Sequence, residues 1–250
     1  MGRRRGAWMR FAAMVLKPLL WLFTRRTWRG RENVPAGPVI LVANHVSHTD
    51  PLTLAHFVYD LPREPRYLAK EAVFTVPFVG MVVRGAKQIP VRRATTEAVL
   101  ALEHAVEAVG RGECVVIYPE GTTTKDPALW PMRGKTGAAR LAMLTGAPVV
   151  PIGQWGPERF YHPITHRIGL RPRTPVTVVA GPPIDLSAYE GRPPTAALLA
   201  EVTDVIMRRI RELVAEARGE AAPTGPLYPR PTARRHTAPD EPTTTPEVPS

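Results

Sequence analysis

The residues best equipped for chemistry lie within seven positions, Asn44-His45-Val46-Ser47-His48-Thr49-Asp50. Four residues separate His45 from Asp50, and one turn of chain can bring the carboxylate back to the ring. A carboxylate on one imidazole nitrogen fixes the tautomer and leaves the other nitrogen to take a proton. His45 and Asp50 are therefore the candidate catalytic pair. Two other readings use the same residues. Asp50 before Pro51 is an ordinary helix start. His45, His48 and Asp50 could instead ligate a metal, although their spacing matches no strong zinc pattern and includes no cysteine. His48 and His56 are expected as surface or packing residues.

The flanking elements must bring this loop to a working surface. Val39-Ile40-Leu41-Val42-Ala43 is short, β-branched and without polar alternation, and it follows the turn Pro35-Ala36-Gly37-Pro38. That pattern predicts a fully buried strand. A helix is predicted to begin at Asp50-Pro51, with Asp50 as N-cap and proline at the first helical position. His45 then falls at the carboxyl end of a strand, where open α/β sheets gather ligands. Further strands are predicted at 67–69, 88–91, 114–117, 149–153 and 176–180, with a crossover over 70–83 interrupted at Pro77 and Gly80. Val99, Leu102, Val106 and Val109 recur with helical spacing between Thr95 and Gly110. Shorter and longer helices are expected at 136–145 and 195–218. Strand 88–91 ends in Arg92-Arg93, on the same rim as His45 if the sheet is parallel. Strand 114–117 runs into Tyr118-Pro119-Glu120-Gly121-Thr122-Thr123-Thr124, which offers a carboxylate and backbone donors to a ligand, though turn chemistry alone would also explain it. The fold class read from this order is α/β, a mostly parallel sheet flanked by helices.

Charge divides the chain. Of a net +11 over 250 residues, nine charges belong to Arg3, Arg4, Arg5, Arg10, Lys17, Arg25, Arg26, Arg29 and Arg31, with no acid among residues 1–31. The apolar, aromatic run between them is broken by Arg10, Lys17 and Pro18, too interrupted for a transmembrane span, and it lacks the small-residue cleavage site of a removed signal peptide. Tryptophans near both ends and arginines outside them suit an interfacial anchor on anionic lipid, at about 1 kcal/mol per cation. Nucleic-acid binding ranks well below, because Leu19-Leu20-Trp21-Leu22-Phe23 is too apolar for a polar basic arm. The single cysteine, Cys114, excludes a disulfide framework and sits in an apolar run as a buried, inert thiol. Residues 221–250 turn abruptly rich in Pro, Thr and Ala and read as a disordered tail. The expected organisation is a basic membrane-associating segment at 1–31, an α/β domain at 32–220, and the tail at 221–250.

Four loops now fall in order: Asn44-His45-x-Ser47-x-x-Asp50, the stretch from Gly85 to Arg93, Tyr118-Pro119-Glu120-Gly121-Thr122, and Val149-Val150-Pro151-Ile152-Gly153. This order resembles the glycerolipid acyltransferase family of the 1-acyl-sn-glycerol-3-phosphate acyltransferase type, over about residues 30–185. The resemblance implies His45 as the general base for the acceptor hydroxyl and Asp50 as its orienting partner. It places Arg93 at the arginine that ends the second motif, and Glu120 and Gly121, with Thr122, in the acceptor-binding third motif. Pro151 is the proline of the fourth. One position departs: the family's third motif usually runs Pro-Glu-Gly-Thr-Arg, and Thr123 stands in the arginine's place.

The chemistry suits these residue types. A thioester is already activated, so the reaction needs a hydroxyl made nucleophilic and an oxyanion stabilised, with no cofactor and no metal. The expected activity is transfer of a fatty acyl group from acyl-CoA or acyl carrier protein, as co-substrate, to the sn-2 hydroxyl of lysophosphatidate at the cytoplasmic face of the cell membrane. Arg93, with Arg92, Arg133 or Lys135 near it, would hold the phosphate. Alternatives are another lysolipid headgroup, a metal-dependent hydrolase using His45, His48 and Asp50, and a non-enzymatic membrane adaptor.

Overall fold

The computed structural model describes residues 6–61, 63–77, 79–91 and 95–231. Among them seven strands form one sheet: β1 (Thr24–Arg29), β2 (Val39–Ala43), β3 (Pro65–Lys70), β4 (Ile89–Val91), β5 (Cys114–Ile117), β6 (Val149–Trp155) and β7 (Thr174–Ala180). The helices are α1 (Ala7–Phe23), α2 (Asp50–Asp60), α3 (Glu71–Thr75), α4 (Val79–Gly85), α5 (Thr95–Gly110), α6 (Gly137–Thr145) and α7 (Ala196–Arg218). The strand order is β1-β7-β6-β2-β5-β3-β4. Every pairing is parallel except that between β6 and β7.

The apolar run that predicted β2 reflects its place at the centre of this sheet. All five of its side chains are fully buried, because helices cover both faces, as parallel sheets require. Alternation then divides them. Ile40 and Val42 point into a core with Leu141, Leu199, Ile206 and Ile210 from α6 and α7. Val39, Leu41 and Ala43 meet Leu54, Phe57 and Val58 of α2 on the other face. Since β2, β3, β4, β5 and β6 run parallel, their carboxyl ends share one rim.

Helix α7 lies so close to β6 that a Cβ on Gly153 would stand 2.3 Å from the carbonyl carbon of Leu213. The helix is bounded as its sequence dictates. Thr195 accepts a hydrogen bond from the Leu198 amide, and Gly219 closes it in the left-handed region at φ 70°.

The amino-terminal boundary differs from the expected one. Only residues 7–23 are helical, as one 17-residue helix with Pro18 inside it. No helix among the described residues is long and apolar enough to cross a membrane. Residues 24–29, expected within the membrane segment, are instead the edge strand β1, paired with β7. Their arginines conceal the strand pattern: Thr24, Arg26 and Trp28 turn toward the domain, while Arg25, Thr27 and Arg29 face out. Arg26 Nη1 lies 2.9 Å from Nε2 of the buried His56, and Trp28 Nε1 donates to Asp60 Oδ2 at 3.1 Å. The α/β domain therefore starts at residue 24 rather than 32.

The tail also begins later than expected. Ala222 and Leu227 pack against the main core, the Tyr228 carbonyl accepts from the Arg133 amide at 3.0 Å, and Arg211 donates to the Gly225 carbonyl. Residues 221–231 are thus laid along the domain, and the rest of the expected tail, 232–250, lies outside the described residues. Cys114 is buried as expected, and burial pushes its thiol up to about 12.

Because β1 belongs to the sheet, two truncations should separate. Removal of residues 1–23 should keep the fold, whereas removal of residues 1–31 should strip an edge strand and uncover Phe57 and His56. At ~2 kcal/mol or more for the lost Trp28 burial, the longer truncation should melt at least ~4 °C below the shorter one. Equal melting temperatures by scanning fluorimetry would mean that β1 contributes nothing to the sheet.

Candidate active site

The candidate loop leaves β2 at Asn44 and folds back over one carboxylate. Asp50 is 0% exposed, and its Oδ2 accepts from the amides of Val46 at 2.6 Å and Ser47 at 2.9 Å. Nδ1 of His45 lies 2.9 Å from the same oxygen. Since Oδ2 already accepts two amide hydrogens, the ring nitrogen facing it must donate. In the neutral ring the lone pair therefore sits on Nε2. Burial raises the Asp50 carboxyl above its ordinary value, against the lowering effect of His45 and of the two amides.

The expected N-cap role of Asp50 is not what the structure shows. Thr49 occupies the N-cap position without a side-chain capping bond, and Asp50 is the first helical residue. Its carboxylate turns back toward the preceding loop because three donors meet it there, His45 among them. Pro51 follows in the first turn, as the sequence requires.

Two buried side chains hold the loop in place. Asn44 and Gln154 exchange three bonds: Asn44 Nδ2 donates to the Gln154 carbonyl at 3.0 Å, the Gln154 amide to Asn44 Oδ1 at 2.8 Å, and Gln154 Nε2 to the Asn44 carbonyl at 2.8 Å. Glu120, 1% exposed, accepts the His45 amide on Oε1 at 2.8 Å and the Met132 amide on Oε2 at 3.0 Å. The resemblance placed Glu120 among the acceptor-binding residues. With both oxygens occupied by backbone amides and the residue buried, it instead ties the loop after β5 to the loop that carries His45. Thr124 adds to this tie, its amide donating to the His45 carbonyl at 2.7 Å.

Tyr118 completes the setting of His45. Its ring stacks on the imidazole with centroids 4.4 Å apart and planes 20° apart, and Tyr67 lies beyond it at 6.2 Å and 14°. The imidazole is thus fixed edge-on by Asp50 and face-on by Tyr118. His48, by contrast, is exposed, with its ring 6.2 Å from that of His45 at 83°. The hydrolase alternative needs His45, His48 and Asp50 to converge. Asp50 lies beneath His45 with its Oδ2 filled by hydrogen bonds, and no group of three His, Cys, Asp or Glu side chains among the described residues is arranged to hold a metal. His56 belongs elsewhere, between Arg26 and Asp60, where burial lowers it to about 4 and keeps it neutral.

Of the remaining candidates, Gly121 and Lys135 are brought together. Gly121 has φ 70°, and a Cβ there would meet Lys135 Cε at 2.9 Å and Nζ at 3.1 Å. The ammonium thus sits over the glycine that follows Glu120. Thr122 is partly exposed beside it, and Thr123 is 1% exposed. Arg92 and Arg93 lie outside the described residues. Sequence reasoning missed Gln154 and Tyr118 as residues that build the site. A glutamine closing the apolar run Val149-Val150-Pro151-Ile152-Gly153 was the available signal for the first.

A cavity of about 1150 Å³ opens at the opposite rim, lined in part by Arg63, Glu64, Arg66 and Glu113. These charges answer one another, Arg66 Nε donating to Glu113 Oε2 at 2.8 Å. It is remote from His45 by the whole length of the strands.

A family model described as Acyltransferase matches residues 25–155. The 1-acyl-sn-glycerol-3-phosphate acyltransferase BAT2, chloroplastic, of Brassica napus is 33% identical over 140 residues, covering 55% of this chain and 39% of that protein. The 1-acyl-sn-glycerol-3-phosphate acyltransferase of Bacillus subtilis (strain 168) is 27% identical over 205 residues, covering 82% and 96%. The chain thus spans about two fifths of the plant relative and nearly all of the bacterial one. The crystal structure of the 1-acyl-sn-glycerophosphate (LPA) acyltransferase PlsC from Thermotoga maritima superposes with a TM-score of 0.60 at 26% identity, over 83% of this chain and 78% of that one.

Burial pushes the Glu120 carboxyl up to about 8, against the two amides that lower it. A raised folded-state value means that its contribution to stability is complete below its unfolded value near 4.5 and is lost as pH rises through about 8. His56 works in the opposite sense, with a contribution present above 6.5 and lost toward about 4. Between pH 6.5 and 8.5 the Glu120 effect acts alone of the two. The melting temperature should fall across that interval, by an amount equivalent to about 1–2 kcal/mol. Glu120→Gln should flatten the slope while lowering stability throughout, since one amide then faces a donor. An unchanged slope in the variant would place the titrating group elsewhere.

Proposed function

Because this chain belongs to the acyltransferase family, we propose that it transfers a fatty acyl group from a thioester donor, acyl-CoA or acylated carrier protein, to the sn-2 hydroxyl of lysophosphatidate. The observation that carries this reading is the bond between His45 Nδ1 and Asp50 Oδ2, which leaves Nε2 as the basic nitrogen. Nε2 takes the proton of the acceptor hydroxyl as its oxygen attacks the thioester carbonyl carbon. The C–S bond then breaks, and the thiolate leaves with the proton carried by the imidazolium. Asp50 stabilises that cation, and Tyr118 keeps the ring from turning. No nucleophilic side chain is required, which agrees with the burial of Cys114.

The acceptor phosphate is assigned to Arg93, from the second motif, together with Lys135 over Gly121. Thr123, in the position where the family carries an arginine, is buried and offers no charge. Lys135 supplies a cation at the same turn from a neighbouring segment. The second partner is an anionic membrane. Phe11, Met14, Val15, Leu19, Trp21 and Leu22 are exposed along α1, and Arg26 covers the Trp21 ring at 5.1 Å. Such a face supports peripheral or monotopic attachment at the cytoplasmic face of the cell membrane.

The direct test is radiolabelled acyl-CoA offered with lysophosphatidate, other lysolipids and glycerol-3-phosphate. His45→Ala should lower turnover by about 100- to 10,000-fold with the fold retained, and Asp50→Asn should lose much of the rate. Near wild-type turnover in His45→Ala would remove the general base from this assignment. Lys135→Ala and Arg93→Ala should each raise the KM for lysophosphatidate far more than for uncharged monoacylglycerol, since only the former loses a charge-assisted bond. Equal effects on the two acceptors would move the phosphate to other residues.

A further inference from the structure

Between β6 and β7 the chain makes a hairpin that the catalytic reading does not use. Tyr161 pairs with Ile168 as an antiparallel bridge. The His162 amide donates to the Arg167 carbonyl at 3.0 Å, and the Gly169 amide to the Phe160 carbonyl at 3.1 Å. Its tip is fixed by His162 Nδ1, which accepts from the amides of Ile164 and Thr165 at 3.3 and 3.2 Å. Gly169 must be glycine, because a Cβ there would stand 2.4 Å from the Arg159 carbonyl oxygen. This is a built element, yet it presents apolar side chains to solvent: Ile168 is 72% exposed, Leu170 69% and Ile164 40%. Isolated exposed aliphatics need no explanation, but three on one hairpin do.

Their surroundings identify the occupant. Residues 159–173 carry Arg159, Arg167, Arg171 and Arg173 and no acid, and all four arginines are exposed. Aliphatic side chains fringed by cations match a bilayer of anionic phospholipid, where the apolar groups leave water and the guanidinium groups meet phosphate. The hairpin is also continuous with α1, the Arg173 amide donating to the Leu22 carbonyl at 3.1 Å, beside the exposed Trp21 and Leu22. On its other side it touches the catalytic loop. Ser47 Oγ donates to the Tyr161 carbonyl at 2.7 Å, and Thr49 Oγ1 to the Pro157 carbonyl at 3.0 Å.

We infer that the hairpin 159–173 is a second membrane-contacting element, which together with α1 sets the rim carrying His45 against an anionic bilayer. This rests on the reading of α1 as a membrane surface. The two elements are joined at Leu22 and Arg173, and the second of them is bonded to the loop that holds the base. Contact at the hairpin therefore brings the rim that carries His45 against the lipid, in addition to the hold that α1 provides.

The test uses the full chain, in which the buried Cys114 leaves an introduced thiol as the labelling site. Leu170→Cys and Met14→Cys are each labelled with an environment-sensitive fluorophore and mixed with phosphatidylcholine vesicles with or without phosphatidylglycerol. Blue shifts at both positions on the anionic vesicles support the inference. A shift at Met14 with Leu170 remaining in water overturns it and leaves α1 as the membrane surface. A shift at Leu170 alone supports the hairpin and overturns the α1 reading. No shift at either overturns both. The pair Arg167→Gln and Arg171→Gln should lower partition onto anionic vesicles by roughly 30-fold, and an unchanged partition would overturn the charge match on which the choice of bilayer rests.

Discussion

Burying a carboxylate is expensive unless donors meet it, and the site is arranged around that constraint. Asp50 has no solvent, so the chain from Asn44 to Asp50 curls until two amides and an imidazole point at one oxygen. The curl is what places His45 at the rim. Glu120 imposes the same demand one strand away and answers it with amides from His45 and Met132. Two buried acids thus organise two loops. Their need for donors, more than any contact of the loops with one another, decides where His45 stands.

The central strands were legible because burial on both faces leaves an unbroken apolar run, as in 39–43 and 114–117. Helix ends at Thr195, Gly146 and Gly219 were equally legible, since a hydroxyl cap or a left-handed glycine has a local signature. The pair His45 and Asp50 could be read from spacing, because the interaction is local. Gln154, by contrast, reaches Asn44 from 110 residues away, and no pattern along the chain announces such a partner. Glu120 was visible as a carboxylate at a strand's end, but whether it faces a ligand or the interior depends on where the amide of residue 132 lies.

Strand β1 went unread for a different reason. An edge strand buries only half of its alternate positions, and here two of the three outward positions and one inward position are arginine. Charge on an edge protects it from pairing with another chain, and the same charge imitates the basic flank of a membrane segment. Residues 221–231 likewise lack periodicity because they follow the surface of the domain rather than forming an element. Their apolar contacts, Ala222 and Leu227, are too sparse to stand out among prolines and threonines.

Helix α1 ends at Phe23 and β1 begins at Thr24, with no residue between them. A flexible leader would act as a leash, letting the domain tumble while the helix stays held. This junction acts as a bracket. Any surface that grips the helix also fixes the orientation of the sheet, so the domain gives up its rotational freedom in the attachment step and not again when a substrate arrives. On a flat surface, encounters between the rim and anything lying in that surface would then be confined to sliding in a plane, a search in two dimensions.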